Sequence, residues 1–337
     1  MSQPVKIVRF HEIGSADVLR IDELPLPEPR AGEVRLRVKA IGLNRAEIMF
    51  RNDQYFLSPK LPSTNGYEAS GIVEAVGAGV DPALVGKVRS TVPAFRLDQY
   101  GVYGEVAIVP AAALAAYPEH LSFEEGTSIW MQFITAYGAL VHHGRIVKGD
   151  FVVITAASSS VGLAAIQITK AEGGIAIATT RTAAKKAELL ATGADHVIVT
   201  DEENVLARIL QITNGVGAKI VFDSVAGKGL SDLAKATAHG ALILIYGLLS
   251  PDPTPFPIFE AWAKAPEGKS FKVMGYSLME LTSNAALFQQ AVRYVFDKLQ
   301  SRQLKPRIDR TFKLAEIADA HRYMEKNQQI GKIVVTV

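Results

Sequence analysis

FVVITAASSSVGLAAIQITKAEGG, residues 151–174, is the stretch that decides the fold of this 337-residue chain. The apolar run FVVITAA has the composition of a buried strand, a turn of small residues follows, and a helix begins at Ser160 to Gly162. Where a parallel strand leads directly into a helix, free backbone N–H groups and the positive end of the helix dipole face one crevice, which suits a pyrophosphate. The stretch therefore predicts a dinucleotide-binding unit.

The same alternation continues toward the carboxyl terminus. Short apolar runs alternate with amphipathic segments of about ten residues or more, a pattern typical of a parallel sheet with helices on both faces. In order, these segments are IAIATT, AAKKAELLATG, DHVIVT, ENVLARILQITNG, AKIVFDSV, LSDLAKATAHG and ALILIYG. The alternation predicts a doubly wound α/β domain over residues 126–300.

Short strands separated by Pro and Gly clusters fill the first third of the chain. They are predicted at Val5 to Phe10, Val34 to Ala40, Gly71 to Val76, Lys87 to Val92 and Tyr103 to Val109. The tail resumes a strand, helix, strand pattern, so residues 1–125 and 301–337 are predicted to form one β-rich domain into which the α/β domain is inserted.

The predicted turn before the helix departs from the usual three-glycine fingerprint. Ala156, Ser159 and Gly162 stand near the three glycine positions, so only the last glycine, needed for close helix packing, remains. Small residues still allow phosphates to approach the backbone, and we predict cofactor contacts at Ser159, Ser160 and Val161.

The end of the next strand predicts which nicotinamide cofactor is bound. An acidic residue there would bind the ribose 2′-hydroxyl, but the segment carries Thr180, Arg181 and, one turn later, Lys185. A 2′-phosphate beside a guanidinium and an ammonium favours NADPH over NADH. The alternative is that these cations are only a solvated helix start.

Two further strand ends belong to the same predicted site. Ser224 and Val225 follow the fourth strand, and Tyr246 and Gly247 follow the fifth, at the carboxyl ends where ligands bind in open α/β sheets. We expect their backbone to contact the cofactor.

Composition excludes several classes of protein. Lys and Arg number 36 and Asp and Glu 34, giving a net charge of +2 with the charges interspersed, so nucleic acid is not an expected partner. The chain has no cysteine, which excludes disulfides, thiolate metal sites and cysteine nucleophiles. No apolar run is long enough to span a membrane, and MSQPVKIVRF lacks the features of a signal peptide, so a cytoplasmic protein without a membrane partner is expected.

Several stretches outside the helix-strand alternation resemble a known family. IGLNRAEIMFRNDQYF, LPSTNGYEASGIVEAVGAGV, GVYGEVAIVP and AHRYMEKNQQIGKIVV keep the order and spacing of the zinc-independent quinone oxidoreductase branch, which includes the zeta-crystallin-like proteins, of the medium-chain dehydrogenase/reductase superfamily. The resemblance implies a GroES-like β-rich domain, a Rossmann dinucleotide-binding domain and an active cleft between them. The apolar sheet edge formed by ALILIYG and FKVMGY predicts a homodimer.

The zinc-using branch of the superfamily carries a catalytic zinc site and a structural zinc site with four thiolates, and this chain is expected to have neither. That branch has a cysteine near Asn44 and a GHE motif where this chain has Gly66, Tyr67 and Glu68. Without a metal to polarise a carbonyl, hydride must go to an acceptor that is already electrophilic, such as a quinone or an α,β-unsaturated ketone or aldehyde. Glu68 is expected to make a structural hydrogen bond.

The resemblance also implies three residues near the reacting atoms. Asn44 and Thr135 match positions close to the nicotinamide, and Tyr55 matches a tyrosine that lines the cleft and is our candidate proton donor or orienting hydroxyl. The alternatives are a helix N-cap for Asn44, simple packing for Tyr55 and an ordinary core residue for Thr135. Two other functions stay open: an enoyl thioester reductase that uses Tyr55 as proton donor, and a non-catalytic, crystallin-like or sensor protein that binds NADPH.

Overall fold

The chain forms two compact units in a computed structural model that describes residues 4–259 and 270–337. The first unit comprises Met1–Met131, Ala285–Gln300 and Pro306–Val337, and the second comprises Gln132–Asn284 and Ser301–Lys305. The sequence-based boundaries assign residues 285–300 to the α/β domain, whereas this helix belongs to the first unit in the structure. Its amphipathic period indicates that one face is buried, but a period does not identify the sheet that covers that face.

Strands dominate the first unit, as its Pro- and Gly-punctuated sequence predicts. Their bounds are β1 Val5–Phe10, β2 Leu19–Leu24, β3 Glu33–Gly42, β4 Glu68–Val76, β5 Val88–Thr91, β6 Val106–Pro110, β7 Leu114–Ala115, β14 Ile308–Lys313 and β15 Lys332–Thr336. A seven-stranded sheet runs in the order β14-β15-β3-β4-β5-β7, with β6 also paired to β3, and β1 and β2 form an antiparallel pair. The unit is the GroES-like domain that the resemblance implies.

Helices of the first unit lie at both ends of its sequence. They are α1 Arg45–Arg51, α2 Phe123–Gly126, α3 Trp130–Tyr137, which continues into the second unit, α9 Ala285–Gln300 and α10 Ile317–Glu325. The predicted GroES-like half of the fold is confirmed.

Parallel strands alternate with helices through the second unit. The strands are β8 Phe151–Ile154, β9 Ile175–Thr180, β10 His196–Val199, β11 Ala218–Asp223, β12 Thr237–Ile245 and β13 Phe271–Gly275. The helices are α4 Ser160–Ala171, α5 Lys186–Ala191, α6 Val205–Ile212, α7 Leu230–Lys235 and α8 Met279–Thr282. All sheet pairs are parallel, in the order β10-β9-β8-β11-β12-β13, which is the strand order of the Rossmann fold. The predicted doubly wound domain is confirmed.

The buried core of the second unit explains why the sequences of its strands are continuously apolar. Val153, Ile177, Ile198, Val221 and Ile243, one from each of five neighbouring strands, are buried together. Helices cover both faces of a parallel sheet, so both side-chain faces of each strand become apolar. Within residues 4–259 and 270–337, no helix is long and apolar enough to cross a membrane.

The register of three strands brings together polar residues from distant parts of the sequence. Gly42 at the end of β3 pairs with Glu68 at the start of β4 and with Val334 in β15. Asn44 follows β3, and Lys332 begins β15, so the sheet positions their side chains near Glu68.

Candidate active site

A buried ion pair lies at the end of β3 in the first unit. The Lys332 ammonium donates hydrogen bonds to Glu68 Oε2 and, at 2.6 Å, to Asn44 Oδ1. The other carboxylate oxygen of Glu68 accepts the backbone N–H of Met131 at 2.8 Å. Both charged side chains have 0% exposure. Glu68 therefore makes the structural hydrogen bond expected from the sequence, and Lys332 neutralises its charge.

The residues around Glu68 do not fit a zinc ion. Tyr67, a neutral phenol, stands where the zinc branch has a histidine, and the Glu68 carboxylate is already paired with the Lys332 ammonium. Across the described parts of the chain, no group of three or more His, Cys, Asp or Glu side chains could hold a metal. The positive charge beside Glu68 is therefore the Lys332 ammonium and not a metal ion.

Asn44 is the N-cap residue of α1, the position that its helix N-cap interpretation predicts, although its side chain makes no capping hydrogen bond. Its backbone is extended (φ −133°, ψ 151°), and its N–H donates to Glu47 Oε2 at 2.6 Å. The side-chain amide has three acceptors within the chain: Glu47 Oε1 at 3.0 Å, Gly42 O at 3.2 Å and Glu68 Oε2 at 3.2 Å. The carboxamide is thus oriented by internal partners, and its contact with a ligand stays a prediction.

Glu47 is the centre of this polar cluster. Besides the two donors of Asn44, its carboxylate accepts the Tyr67 N–H at 3.0 Å and the Tyr103 O–H at 2.7 Å. Complete burial raises the pKa of Glu47, while the hydrogen bonds from Asn44, Tyr103 and Tyr67 lower it. Four donors converge on its two oxygens, an arrangement that matches the acceptor capacity of an ionised carboxylate.

A directional chain of hydrogen bonds leads from Glu47 to the surface. Arg51 can only donate, so its 2.8 Å contact makes His321 Nδ1 an acceptor and assigns the ring proton to Nε2. His321 Nε2–H then donates to the Tyr103 hydroxyl at 3.0 Å, and Tyr103 donates to Glu47. Burial, assisted by the Arg51 charge, lowers the pKa of His321 to about 3, so the imidazole is neutral. Arg51 also pairs with Glu325, which is partly exposed.

Tyr55, the candidate proton donor, lies beside this cluster. Its hydroxyl is 3.5 Å from the hydroxyl of Tyr67, and its ring centroid is 4.2 Å from that of Phe56. Burial raises the pKa of Tyr55, the hydrogen bond from Tyr67 lowers it and the nearby Glu47 charge raises it. The Tyr55 side chain is half-buried, and its role as a proton donor stays a prediction.

The small-residue turn in the second unit adopts the geometry that a phosphate needs. Ser159 caps α4, and its Oγ accepts the Gly162 N–H at 3.0 Å. Ala156 takes a left-handed conformation (φ 44°) where the fingerprint usually has glycine. A Cβ on Gly162 would lie 2.6 Å from Ala157 backbone atoms, so this glycine is required. The N–H groups of the first helical turn have no acceptor within the helix.

A lysine from the next helix start reaches this turn. Lys185 Nζ donates to Ser158 Oγ at 3.2 Å, which brings the ammonium to the predicted phosphate site. Arg181 is exposed just after β9, and Thr180 is buried at the end of that strand, with its hydroxyl 3.5 Å from Thr182 O. The structure therefore brings Lys185 to the turn and leaves the Arg181 guanidinium accessible to solvent.

Two unpaired hydroxyls lie at the carboxyl ends of β11 and β12. Ser224 Oγ and Tyr246 Oη are buried and have no hydrogen-bond partner among the described residues. Burial raises the pKa of Tyr246 to about 12, and the nearby Ser224 and Ser159 hydroxyls lower it by less, although neither meets hydrogen-bond geometry. The Tyr246 ring stacks on Phe222 at 4.0 Å. Unpaired buried hydroxyls are costly unless a ligand or water binds them.

The remaining predicted cofactor residues differ in what they can offer a ligand. The Val225 N–H donates to Asp223 Oδ1 at 2.9 Å, and its carbonyl accepts the Ser250 N–H at 2.9 Å, so its backbone is engaged within the chain. A Cβ on Gly247 would lie 3.0 Å from Ser224 O, so glycine keeps this strand end open. Thr135 is buried in α3.

Sequence reasoning missed most of the buried network. Glu47 has a recognisable signal, because Asn44 and Glu47 have the spacing of a capping box. The sequence signal for Lys332 is weaker: it is a charged residue at the start of the otherwise apolar strand KIVVT. His321 and Arg51 are far apart in sequence and have none.

Comparisons with known proteins agree with this architecture. The alcohol dehydrogenase GroES-like domain profile matches residues 30–119, and the zinc-binding dehydrogenase profile matches residues 192–335. Synaptic vesicle membrane protein VAT-1 homologs are similar in sequence. The Rattus norvegicus protein is 30% identical over 98% of this chain and 84% of its own length. The Danio rerio protein is 32% identical over 92% of this chain, and the match spans 65% of its length.

A solved structure extends the comparison to the fold. Escherichia coli quinone oxidoreductase, complexed with NADPH, superposes with a TM-score of 0.89 at 27% identity over 98% of this chain and 100% of that one. The two units thus define a two-domain dehydrogenase. The chain belongs to the zeta-crystallin-like quinone oxidoreductase family of the medium-chain dehydrogenase/reductase superfamily.

Proposed function

We propose that this protein is an NADPH-dependent, zinc-independent oxidoreductase that transfers hydride to a quinone or to an α,β-unsaturated carbonyl compound. The observation that carries the proposal is that the buried Ser224 Oγ and Tyr246 Oη have no hydrogen-bond partner among the described residues, with Tyr246 close to Ser159 at the amino-terminal end of α4. Hydrogen-bonding groups that the chain leaves unpaired at the carboxyl edge of a parallel sheet are suited to a dinucleotide. The bound nucleotide supplies the hydride.

The amino-terminal end of α4 and the neighbouring cations would hold the phosphates. The N–H groups of Ser160 and Val161 would face the pyrophosphate, with the Ser159 hydroxyl at the cap. Lys185 at the turn and the exposed Arg181 would bind the 2′-phosphate that distinguishes NADPH from NADH. NADPH in the related Escherichia coli structure supports this assignment.

Other polar groups would bind the rest of the nucleotide and the acceptor. We propose that Thr180, at the end of β9, Ser224 and Val225, after β11, and Tyr246 and Gly247, after β12, contact the nucleotide along the carboxyl edge of the parallel sheet. Asn44 and Thr135 would lie near the nicotinamide.

The acceptor class follows from what the first unit can supply. The chain has no cysteine, Glu68 is neutralised by Lys332, and residues 4–259 and 270–337 contain no group of three His, Cys, Asp or Glu side chains for a metal that polarises a carbonyl. Quinones and α,β-unsaturated carbonyl compounds need no such activation. After hydride transfer they need a proton, and Tyr55 is the accessible phenol that we assign to this step.

Nucleotide binding tests the cofactor part of the proposal. NADPH and NADH would be titrated by fluorescence into the wild-type protein, Arg181→Ala and the charge-matched control Arg208→Ala, which lies on α6 in a surface pair with Glu203. Charge-assisted hydrogen bonds are worth about 1.5–3 kcal/mol, so Arg181→Ala should weaken NADPH binding roughly tenfold or more and leave NADH binding unchanged. Equal, weak binding of both nucleotides by the wild-type protein would contradict the proposal.

Turnover tests the catalytic part. The protein should oxidise NADPH in the presence of a quinone or an enone. Tight NADPH binding without turnover of either class would instead indicate the non-catalytic alternative, and reduction of an acyl thioester that is lost in Tyr55→Phe would indicate an enoyl thioester reductase.

We also propose a cytoplasmic homodimer. β13 is the edge strand of the parallel sheet among the described residues, and Phe271–Gly275 is only partly buried. A second copy could pair with this edge across a two-fold axis. Light scattering should give twice the chain mass of 36.3 kDa, and a single chain mass would contradict the dimer.

A further inference from the structure

Tyr67 is one of the most firmly held side chains in the first unit. Its ring is completely buried and lies 5.6 Å from the ring of Phe95. Its N–H donates to Glu47 Oε1 at 3.0 Å, and its carbonyl accepts the Thr91 hydroxyl at 2.8 Å. The preceding Gly66 has φ +99°, and a Cβ there would lie 2.3 Å from the Tyr103 ring. The position of the Tyr67 hydroxyl is therefore fixed by the fold.

The hydroxyl of Tyr67 has one hydrogen-bond partner within the described chain, the hydroxyl of Tyr55 at 3.5 Å. A buried phenol that donates to no acceptor is costly, so the O–H of Tyr67 must point to Tyr55 Oη. Tyr55 can then only accept from Tyr67, and its own proton is free to point elsewhere. At 3.5 Å the bond is longer than the usual range of about 2.5–3.0 Å between hydroxyl oxygens.

We propose that Tyr67 is a positioning residue that holds the Tyr55 hydroxyl with its proton directed toward the bound acceptor. The inference rests on the proposed function. In that reaction NADPH would supply the hydride to the β-carbon of the unsaturated carbonyl compound, which is reduced while NADPH is oxidised to NADP+, and the electron pair of the carbon–carbon double bond moves into an enolate. The enolate α-carbon takes the proton from Tyr55. The resulting Tyr55 phenolate accepts the hydrogen bond of Tyr67 until solvent returns a proton.

The electrostatics of the pair agree with this division of roles. Burial, followed by the proximity of Tyr55 and of the Glu47 and Asp98 charges, raises the pKa of Tyr67 far above its ordinary value. The pKa of Tyr55 is raised less, because the hydrogen bond from Tyr67 stabilises its phenolate. Tyr55 is thus the member that gives up its proton, and Tyr67 stays a donor.

A fluorine probe measures this hydrogen bond without cofactor or turnover. 3,5-Difluorotyrosine at position 55 makes the phenol more acidic, so its titration can be followed by 19F NMR closer to neutral pH. In Tyr67→Phe, which keeps the ring against Phe95, the midpoint of this titration should rise by about 0.5–1 pH unit. Tyr323→Phe, which removes a hydroxyl bonded to Asp309 elsewhere in the same unit, should leave it unchanged. Equal midpoints in the wild-type and Tyr67→Phe backgrounds would overturn the proposal.

Kinetics separate a positioning role from a structural one. Tyr67→Phe should lower kcat about tenfold with KM within about twofold, and it should cause no further loss in a Tyr55→Phe background. Additive losses would overturn the proposal. If NADPH oxidation fails altogether, the proposed function fails, while the fluorine titration still decides whether Tyr67 donates to Tyr55.

A stability measurement covers the case in which Tyr67→Phe folds poorly. Tyr55→Phe alters only a half-buried side chain but removes the acceptor of the Tyr67 hydroxyl. Its Tm should fall by about 2 °C or more relative to Tyr323→Phe. An unchanged Tm would overturn the hydrogen bond on which the proposal depends.

Discussion

Two groups of buried polar side chains, one in each unit, differ in how they are hydrogen-bonded. In the first unit, the side chains of Glu47, Lys332 and His321 are completely buried and hydrogen-bonded within the chain. In the second unit, the buried hydroxyls of Ser224 and Tyr246 have no partner among the described residues. A fully hydrogen-bonded polar cluster stabilises one arrangement of the strands around it, whereas unpaired hydroxyls at the carboxyl end of a strand are available to a ligand, as we propose for NADPH. The first cluster therefore has its polar atoms committed to the fold, and the second pair does not.

The sharpest test of this comparison is Lys332→Met. The substitution keeps most of the side-chain length but leaves the Glu68 carboxylate buried without its cation, so the free energy of unfolding should fall by about 3–5 kcal/mol. Urea unfolding followed by circular dichroism measures the loss. The double variant Lys332→Met/Glu68→Gln, which removes both charges, should lose less than Lys332→Met alone. A larger loss in the double variant would show that charge pairing is not what the cluster provides.

A smaller loss is expected for Tyr103→Phe. The change removes a hydroxyl that donates to Glu47 and accepts from His321, so both partners lose a hydrogen bond in the interior. The free energy of unfolding should fall by about 1–3 kcal/mol, again measured in urea. Tyr323→Phe, at a surface hydroxyl, serves as the matched control and should lose clearly less. Equal effects would mean that the interior network is no more important than a surface bond.

The neutral His321 predicts a dependence of stability on pH. Its pKa is lowered from 6.5 to about 3 in the folded protein, so its contribution is complete above about pH 6.5 and is lost as the pH falls toward 3. Over this window the unfolded state binds one proton more, a slope of about 1.4 kcal/mol per pH unit. His321→Asn should have a shallower slope than the wild type between pH 6 and 4, and the exposed His239→Asn should not. Identical slopes for wild type and His321→Asn would exclude a neutral buried imidazole.

The smallest effect is expected for Ser224→Ala. Because the Ser224 hydroxyl is buried without a partner, its removal should leave the free energy of unfolding of the ligand-free protein within about 0.5 kcal/mol of the wild type. NADPH affinity should nevertheless fall, as measured by the fluorescence titration. A loss of stability comparable to that of Tyr103→Phe would remove the distinction between the two units.

Local sequence patterns predicted most of the second unit. Apolar runs of strand length gave β8 to β12 their approximate positions, because a parallel sheet covered on both faces needs continuous apolar strands. Gly162 could be identified because the close approach of α4 to the preceding turn excludes a Cβ. The strands and Gly162 depend on residues close to them in sequence, so a local sequence pattern is sufficient to predict them.

The network of the first unit could not be predicted in the same way. Asn44 and Lys332 are 288 residues apart, and their contact depends on the register of β3 against β15. The position of Asn44 was predicted, but its carboxamide proved to be held by Glu47, Glu68 and Lys332. The unit to which residues 285–300 belong could not be predicted either. An amphipathic pattern predicts that one face of the helix is buried, but not which unit covers it.

The Lys332–Glu68 ion pair also bears on the order in which the protein folds during synthesis. Lys332, the counter-charge of Glu68, follows it by 264 residues, so the Glu68 carboxylate must stay hydrated until Lys332 has been synthesised. The second unit is almost contiguous, from Gln132 to Asn284, and can acquire its structure while the first is still incomplete. Burial of β4 before Lys332 is available would leave the Glu68 charge unpaired, so closure of the sheet of the first unit is delayed until β15 has been synthesised.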